Sequence, residues 1–203
     1  MFLMRFDMRA PEFGGSTTDL YKAAIDMAEW AETRGCLAAV ISEHHTSSDG
    51  YIPSPLLLAS AMAARTNQLY ISIAAALLAF YDPIRLAEDM AVLDIISNGR
   101  LSYTLGLGYR PEEFEMYGID WKQRGAVVEE KLQLLLKAKT GEPFTSKSPS
   151  QGKPNSDLTR TWWPSLATIL RTVPRSWMQS RAYRVRVIGA GPGCLLQGAH
   201  HVA

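Results

Sequence analysis

Residues 39–76, AVISEHHTSSDGYIPSPLLLASAMAARTNQLYISIAAA, decide how the fold is read. The stretch opens as a short apolar strand ending in Glu43-His44-His45, continues through a helix, and closes with a second strand ending in Ala74-Ala75-Ala76. Both strands stop where polar or very small residues begin. In a parallel α/β sheet the helices cover the faces, so ligands collect at the carboxyl ends of the strands. A carboxylate and two imidazoles at one strand end, beside a neighbour almost free of side chains, read as a site wall next to a flat cofactor.

Working outward, the first part of the chain alternates strand and helix four times. Phe2 to Met8 reads as a strand, and a loop with Pro11, Gly14 and Gly15 leads to Thr17 or Thr18 as helix N-cap. Apolar residues at 20, 23, 24, 27, 28 and 31 give a stripe of helical period that stops at Gly35. Leu37 to Ile41 is almost wholly apolar, as a parallel strand covered on both faces should be. Ser54-Pro55 opens the second helix, Leu56 to Ala64, which is apolar nearly all round and alanine-rich, so a subunit interface should bury part of it. Leu69 to Ala76 is strand three, Asp82-Pro83 caps a helix over 84–96, and Ser97-Asn98-Gly99 ends it. Leu101 to Leu107 is strand four, and Val127 to Ala138 is the fourth helix.

Composition limits the function classes. The chain has 203 residues, 47% of them apolar and 20% charged, as in ordinary globular proteins. Its longest apolar runs, such as Ile71 to Tyr81, fall short of the ~18 residues of a membrane span, and MFLMRFDMR lacks the plan of a signal peptide. Cys36 and Cys194 are too few for a disulfide framework and lack metal-ligand spacing, so no metal is expected and a reducing, cytoplasmic home is the simplest reading. The net charge of +1 conceals a split. Residues 1–146 hold thirteen Lys/Arg against nineteen Asp/Glu, whereas residues 147–203 hold eight against one.

Four βα units in about 140 residues allow two architectures: an open doubly wound sheet, or half of an eight-unit barrel that needs roughly 250 residues to close. No glycine-rich phosphate loop follows strand one, which weighs against a dinucleotide-binding open sheet. At this point particular residues carry a resemblance. The Glu-His-His strand end, Ala63-Ala64-Arg65-Thr66, DPIRLAEDMAVLD at 82–94, SNGRL at 97–101 and GYRPEEFEMYG at 108–118 together resemble the bacterial luciferase-like monooxygenase family. The resemblance runs from residue 1 to about Phe144. It implies an α/β fold, a (β/α)8 TIM barrel, here cut to about four units. It also implies reduced FMN, or a deazaflavin coenzyme in some relatives, bound at the strand ends. O2 and a small organic substrate would be consumed, a separate flavin reductase would supply the reduced flavin, and a homodimer would form through the second and third helices.

The resemblance puts Glu43 and His44 near the flavin ring and the substrate, with His45 their neighbour, and an imidazole there can relay a proton during oxygen insertion. One of two adjacent histidines could equally pack or cap the loop. Ala74, Ala75 and Ala76 match the strand end that lies against the ring, where the family often has a non-proline cis peptide. Three alanines could also simply pack under a helix. Gly106, Gly108, Tyr109 and Arg110 end strand four; glycines let backbone approach a ring, and Arg110 could hold an anionic flavin edge or phosphate. Glu112, Glu113 and Glu115 read as first-turn carboxylates of a short helix.

The last part does not read as the family's continuation. Residues 147–203 form a basic tail with Trp162, Trp163 and Trp177, read as an out-of-frame, recombined or disordered end. Arg186-Val187-Ile188 before Gly189-Ala190-Gly191-Pro192-Gly193 mimics a strand entering a dinucleotide loop, but Cys194 stands where the third glycine belongs. Nucleic-acid binding lacks a recognised module. The reading is therefore a luciferase-like, flavin-dependent monooxygenase by ancestry, with a deazaflavin-dependent oxidoreductase, or an inactive remnant that only dimerises, as alternatives.

Overall fold

Each of the first four strands is followed by a helix. The order is β1 (Phe2–Phe6), α1 (Thr17–Glu32), β2 (Cys36–Ile41), α2 (Pro55–Arg65), β3 (Tyr70–Leu77), α3 (Pro83–Ser97), β4 (Leu101–Gly106), a short α4 (Pro111–Met116) and α5 (Arg124–Lys139). The computed structural model describes residues 1–140, 142–147, 159–162 and 185–188. Beyond α5, β5 (Phe144–Lys147) pairs antiparallel with β6 (Thr159–Trp162), and β7 (Val185–Ile188) lies parallel to β4. Four residues of the basic tail thus join the main sheet, with Tyr103 level with Val185 and Gly106 level with Ile188. The glycine-rich segment at 189–193 lies outside the described residues.

The main sheet runs β1-β2-β3-β4-β7, and every pair is parallel. Strands one to four are neighbours in chain order, with no point at which the order reverses. A doubly wound sheet needs such a reversal to bind its ligand, whereas a barrel wall does not. The described sheet therefore has the order of a barrel segment.

The helices cover one face. Ala39, Ile41, Ile71, Ile73, Leu101 and Leu105 point into that layer and meet Met62, Leu86, Met90 and Leu135. Each large aliphatic buried here contributes roughly 1.5–3 kcal/mol of transfer free energy. On the other face Val40, Ser72, Ala74, Ser102 and Thr104 are only half-buried. Strand two is thus covered on one face rather than two. The expectation of full cover assumed a layer on both sides, and among the described residues only the helix side supplies it.

Helix ends match the sequence signals with small shifts. Ser16 rather than Thr17 or Thr18 takes the N-cap of α1, without a side-chain bond. Ala24, Ala28 and Ala31 are its fully buried stripe, flanked by the partly buried Leu20, Tyr21 and Ile25, and Met27 turns outward. Asp82 caps α3 as expected, its Oδ1 accepting from the N–H of Ile84 and of Arg85 at 2.9 Å each. Asn98 closes that helix with φ 57° and Gly99 follows with φ 74°.

Two long-range clasps fix the amino ends of the strands. Arg100 is buried and spends its guanidinium on Ser97 O, Thr66 Oγ1, Leu69 O, Ala63 O and Thr66 O, at 2.6–2.9 Å. It ties the end of α2 to the starts of β3 and β4. Glu32, at the end of α1, accepts the N–H groups of Asn67, Gln68 and Leu69. Burial alone would raise this carboxyl, but those three donors outweigh it and hold the group below its ordinary range.

Candidate active site

The carboxyl ends of β2, β3 and β4 gather at one rim, opposite the Arg100 clasp. Ile41 is level with Ile73, and Ala74 is level with Thr104. Past its last paired residue β2 runs into Ser42 and Glu43, and the Glu43 carboxylate crosses to β3. Its Oε2 accepts the N–H of Leu77 at 2.9 Å, and its Oε1 lies 3.0 Å from His45 Nε2. Glu43 is buried, so these bonds act in a low dielectric. The phenol of Tyr81 also meets this carboxylate, and burial together with Glu43 pushes it far above its usual range.

The loop after Glu43 is tied back to the first strand end. His44 N–H donates to Ile52 O at 3.2 Å, Ile52 N–H to Asp7 O at 3.0 Å, and Ala10 N–H to Asp49 O at 2.7 Å. The Arg5 guanidinium reaches Ser42 Oγ at 3.2 Å. These bonds leave the His44 ring little room. It meets Tyr51 edge-on at 4.7 Å between centroids and Tyr109 at 5.5 Å.

Adjacent on the chain, the two histidines have different surroundings. His44 is partly exposed at the rim, its Nδ1 is 2.8 Å from Glu113 Oε1, and its Nε2 is 3.4 Å from the Tyr109 hydroxyl. His45 is buried, bonded to Glu43 on one side and 3.3 Å from the Tyr117 hydroxyl on the other, with Phe80 edge-on at 5.4 Å. Phe80 in turn stacks on Tyr117 at 4.6 Å and meets Phe114 at 4.8 Å. A cleft of about 540 Å³ between α2 and α3 reaches Glu43, His45 and Tyr117, walled by Leu56, Leu57 and Leu93. His44 and the alanine run take no part in it.

The alanine run at the end of β3 divides by burial. Ala74 and Ala75 are half-buried and joined by a cis peptide, whereas Ala76 is fully buried in the core. Gly106 lies against them. A Cβ at that position would stand 3.0 Å from the Ala75 Cβ and 3.2 Å from Leu77 Cδ2. Gly108 has φ 79°, and a Cβ there would fall 2.9 Å from the Phe114 ring, so the turn that delivers Tyr109 requires glycine.

Glu113 lies in the first turn of α4 as expected, and it is also fully buried, its Oε1 meeting the His44 ring and accepting the His45 backbone N–H at 2.9 Å. The reason is helical phase. Glu113 and Phe114 occupy the inward face of α4, whereas Glu112, Glu115 and Met116 are exposed. Arg110 lies nearby, 3.8 Å from the same Oε1, so part of its charge is directed at Glu113. Among the described residues no cluster of three or more His, Cys, Asp or Glu could hold a metal ion. Nor, among them, is any helix long and apolar enough to cross a membrane.

A parallel α/β sheet in barrel order, with two imidazoles at the carboxyl end of β2 and small residues at the ends of β3 and β4, defines the class. The sequence model described as luciferase-like monooxygenase matches residues 4–181, past Phe144, where the motif resemblance stops. The chain belongs to the luciferase-like monooxygenase family. It is similar to protein y4vJ of Sinorhizobium fredii (28% identity over 176 residues, 83% of this chain and 48% of that protein). Among solved structures it resembles monooxygenase RslO1 from Streptomyces bottropensis, at 25% identity and a TM-score of 0.74, over 93% of this chain and 53% of that one. It also resembles the oxygenating constituent of 3,6-diketocamphane monooxygenase from Pseudomonas putida, a type II Baeyer-Villiger enzyme in complex with FMN. That match has 27% identity and a TM-score of 0.67, over 80% of this chain and 43% of that one. The chain spans about half the length of the relatives it matches.

Proposed function

We propose that this protein is a flavin-dependent monooxygenase that inserts one oxygen atom into a small organic substrate, using reduced FMN delivered by a separate reductase. The reading is supported by the shared rim: Ile41 is level with Ile73 and Ala74 with Thr104, so His44, the Ala74-Ala75 pair and Gly106 all stand at the carboxyl ends of neighbouring strands. Half-buried alanines and a glycine whose Cβ would already crowd Ala75 suit the flat face of an isoalloxazine. Bound and reduced, the flavin supplies the electrons with which O2 is activated. His44 holds or moves a proton at the rim, a role suited to an imidazole near neutral pH. Tyr51 and Tyr109 flank the imidazole edge-on and orient it, and Gly108 sets Tyr109 in place. Glu43 and His45 brace the strand ends from behind.

A homodimer through α2 and α3 forms part of the same proposal. Leu57 on α2 is 74% exposed, and Val92, Ile95 and Ile96 on α3 are exposed as well, an apolar set that a second copy of the chain would cover. A cytoplasmic setting, where reduced flavin is made, agrees with the two cysteines. The test is titration of the purified chain with oxidised and reduced FMN and with a deazaflavin coenzyme. Saturable FMN uptake with a shifted visible spectrum is expected. Preference for the deazaflavin would favour the oxidoreductase alternative, and a tight dimer that takes up neither would favour an inactive remnant.

A further inference from the structure

The two neighbouring imidazoles are gripped by different carboxylates through different ring nitrogens. Glu113 Oε1 accepts the His45 backbone N–H at 2.9 Å, and Glu43 accepts the Leu77 N–H at 2.9 Å. Both carboxylates therefore act as acceptors, and the ring nitrogen each one meets carries a hydrogen. At His44 that nitrogen is Nδ1, 2.8 Å from Glu113; at His45 it is Nε2, 3.0 Å from Glu43. The other nitrogen of each ring is left as the acceptor. For His45 it is Nδ1, which the Tyr117 hydroxyl reaches at 3.3 Å inside the protein. For His44 it is Nε2, which lies at the partly exposed rim, where among the described residues the Tyr109 hydroxyl, at 3.4 Å, is its one hydrogen-bonding neighbour.

We propose that His44 and His45 are held in opposite tautomers, and that Glu113 is the positioning residue that makes His44 Nε2 the proton acceptor of the site. A proton taken up at Nε2 leaves the Nδ1–H on its bond to Glu113. The resulting imidazolium faces a buried carboxylate, and the proton departs by the same nitrogen. Glu113 is suited to this work because, among the described residues, its Oε2 has no hydrogen-bond partner and the Arg110 guanidinium, 3.8 Å from Oε1, is the one cation paired with it. His45, enclosed and bonded at both nitrogens, braces the rim instead. The use of the proton rests on the monooxygenase reading; the tautomers do not.

The experiment is long-range proton–nitrogen NMR of the full chain with 15N-labelled histidine and no flavin added, at about pH 8.5, where an ordinary imidazole is neutral. His44→Gln and His45→Gln assign the signals. The expected result is a hydrogen on Nδ1 of His44 and on Nε2 of His45. Glu113→Gln, whose amide oxygen still accepts, keeps the His44 pattern, and Glu113→Leu, which fills the space without an acceptor, loses it. A wild-type His44 protonated at Nε2, or a folded Glu113→Leu protein with the wild-type pattern, overturns the proposal. If Glu113→Leu does not fold, the wild-type spectrum alone decides. Because flavin is absent, a chain that fails to take up FMN leaves this result standing.

Discussion

Truncating Glu43 to alanine tests how the strand ends are joined. The carboxylate satisfies the buried Leu77 N–H and His45 Nε2, and both lose their partner in Glu43→Ala. A buried polar group left without a partner costs about 1–3 kcal/mol, so the two together predict a loss of about 2–6 kcal/mol. Against a typical stability of about 5–15 kcal/mol that is a large fraction. Glu43→Gln should behave differently. Its amide oxygen still accepts from Leu77, and its amide nitrogen donates to His45 Nε2 if that ring changes tautomer and gives its Nδ1–H to the Tyr117 oxygen. The bonds to Leu77 and His45 are then remade, the amide oxygen can still accept from the Tyr81 hydroxyl, and the expected cost is below about 1 kcal/mol. Urea unfolding followed by far-ultraviolet circular dichroism reads both variants. With a slope of about 2 kcal/mol per molar, Glu43→Ala should lower the midpoint by about 1–3 M and Glu43→Gln by less than about 0.5 M. Equal midpoints for wild type and Glu43→Ala would refute the reasoning, because the bridge from β2 to β3 would then contribute nothing.

Two further outcomes follow from the core. Arg100→Met should cost about 3–5 kcal/mol, since it leaves the carbonyls of Ala63, Thr66, Leu69 and Ser97 without their donor, and a urea midpoint near that of wild type would contradict this. Burial raises the Asp94 carboxyl from 3.8 to about 6, against the opposing pull of Lys139. The folded state therefore binds this proton more tightly than the unfolded state does. The stability it contributes is complete below about pH 3.8 and is lost as pH rises through about 6. The difference in unfolding free energy between wild type and Asp94→Asn should accordingly fall between about pH 4 and pH 6, and a flat difference would contradict the assignment.

Local chemistry made the order of elements legible. Asp82-Pro83, Ser97-Asn98-Gly99 and Ser54-Pro55 mark helix ends by rules that act within a few residues, and the apolar runs at 37–41 and 69–76 have strand length. The candidate site was read where a strand end changes character, at Glu43-His44-His45 and at Ala74-Ala75, and the structure puts those strand ends at one rim. Long-range partners were not legible. Arg100 in SNGRL looks like a solvent-facing turn residue, yet its acceptors lie more than thirty positions earlier on α2 and at the start of β3. Glu32 looks like the polar side of α1 and instead caps the turn at 67–69. Glu113 was hidden by its acidic neighbours. Only the shared face of Glu113 and Phe114 signalled that it turns inward, and its partner His44 lies 69 residues away.

Flavin uptake tests the central claim most directly, because the ledge of Ala74, Ala75 and Gly106 is read as the bed of the ring. Titrating the purified chain with reduced FMN under anaerobic conditions, alongside Gly106→Leu, compares a bare ledge with one blocked by an added side chain. The account predicts saturable binding to the wild-type chain and loss of at least about tenfold in affinity for the variant, or roughly 1.4 kcal/mol. Equal affinities for the two chains, or no uptake by either, would contradict it.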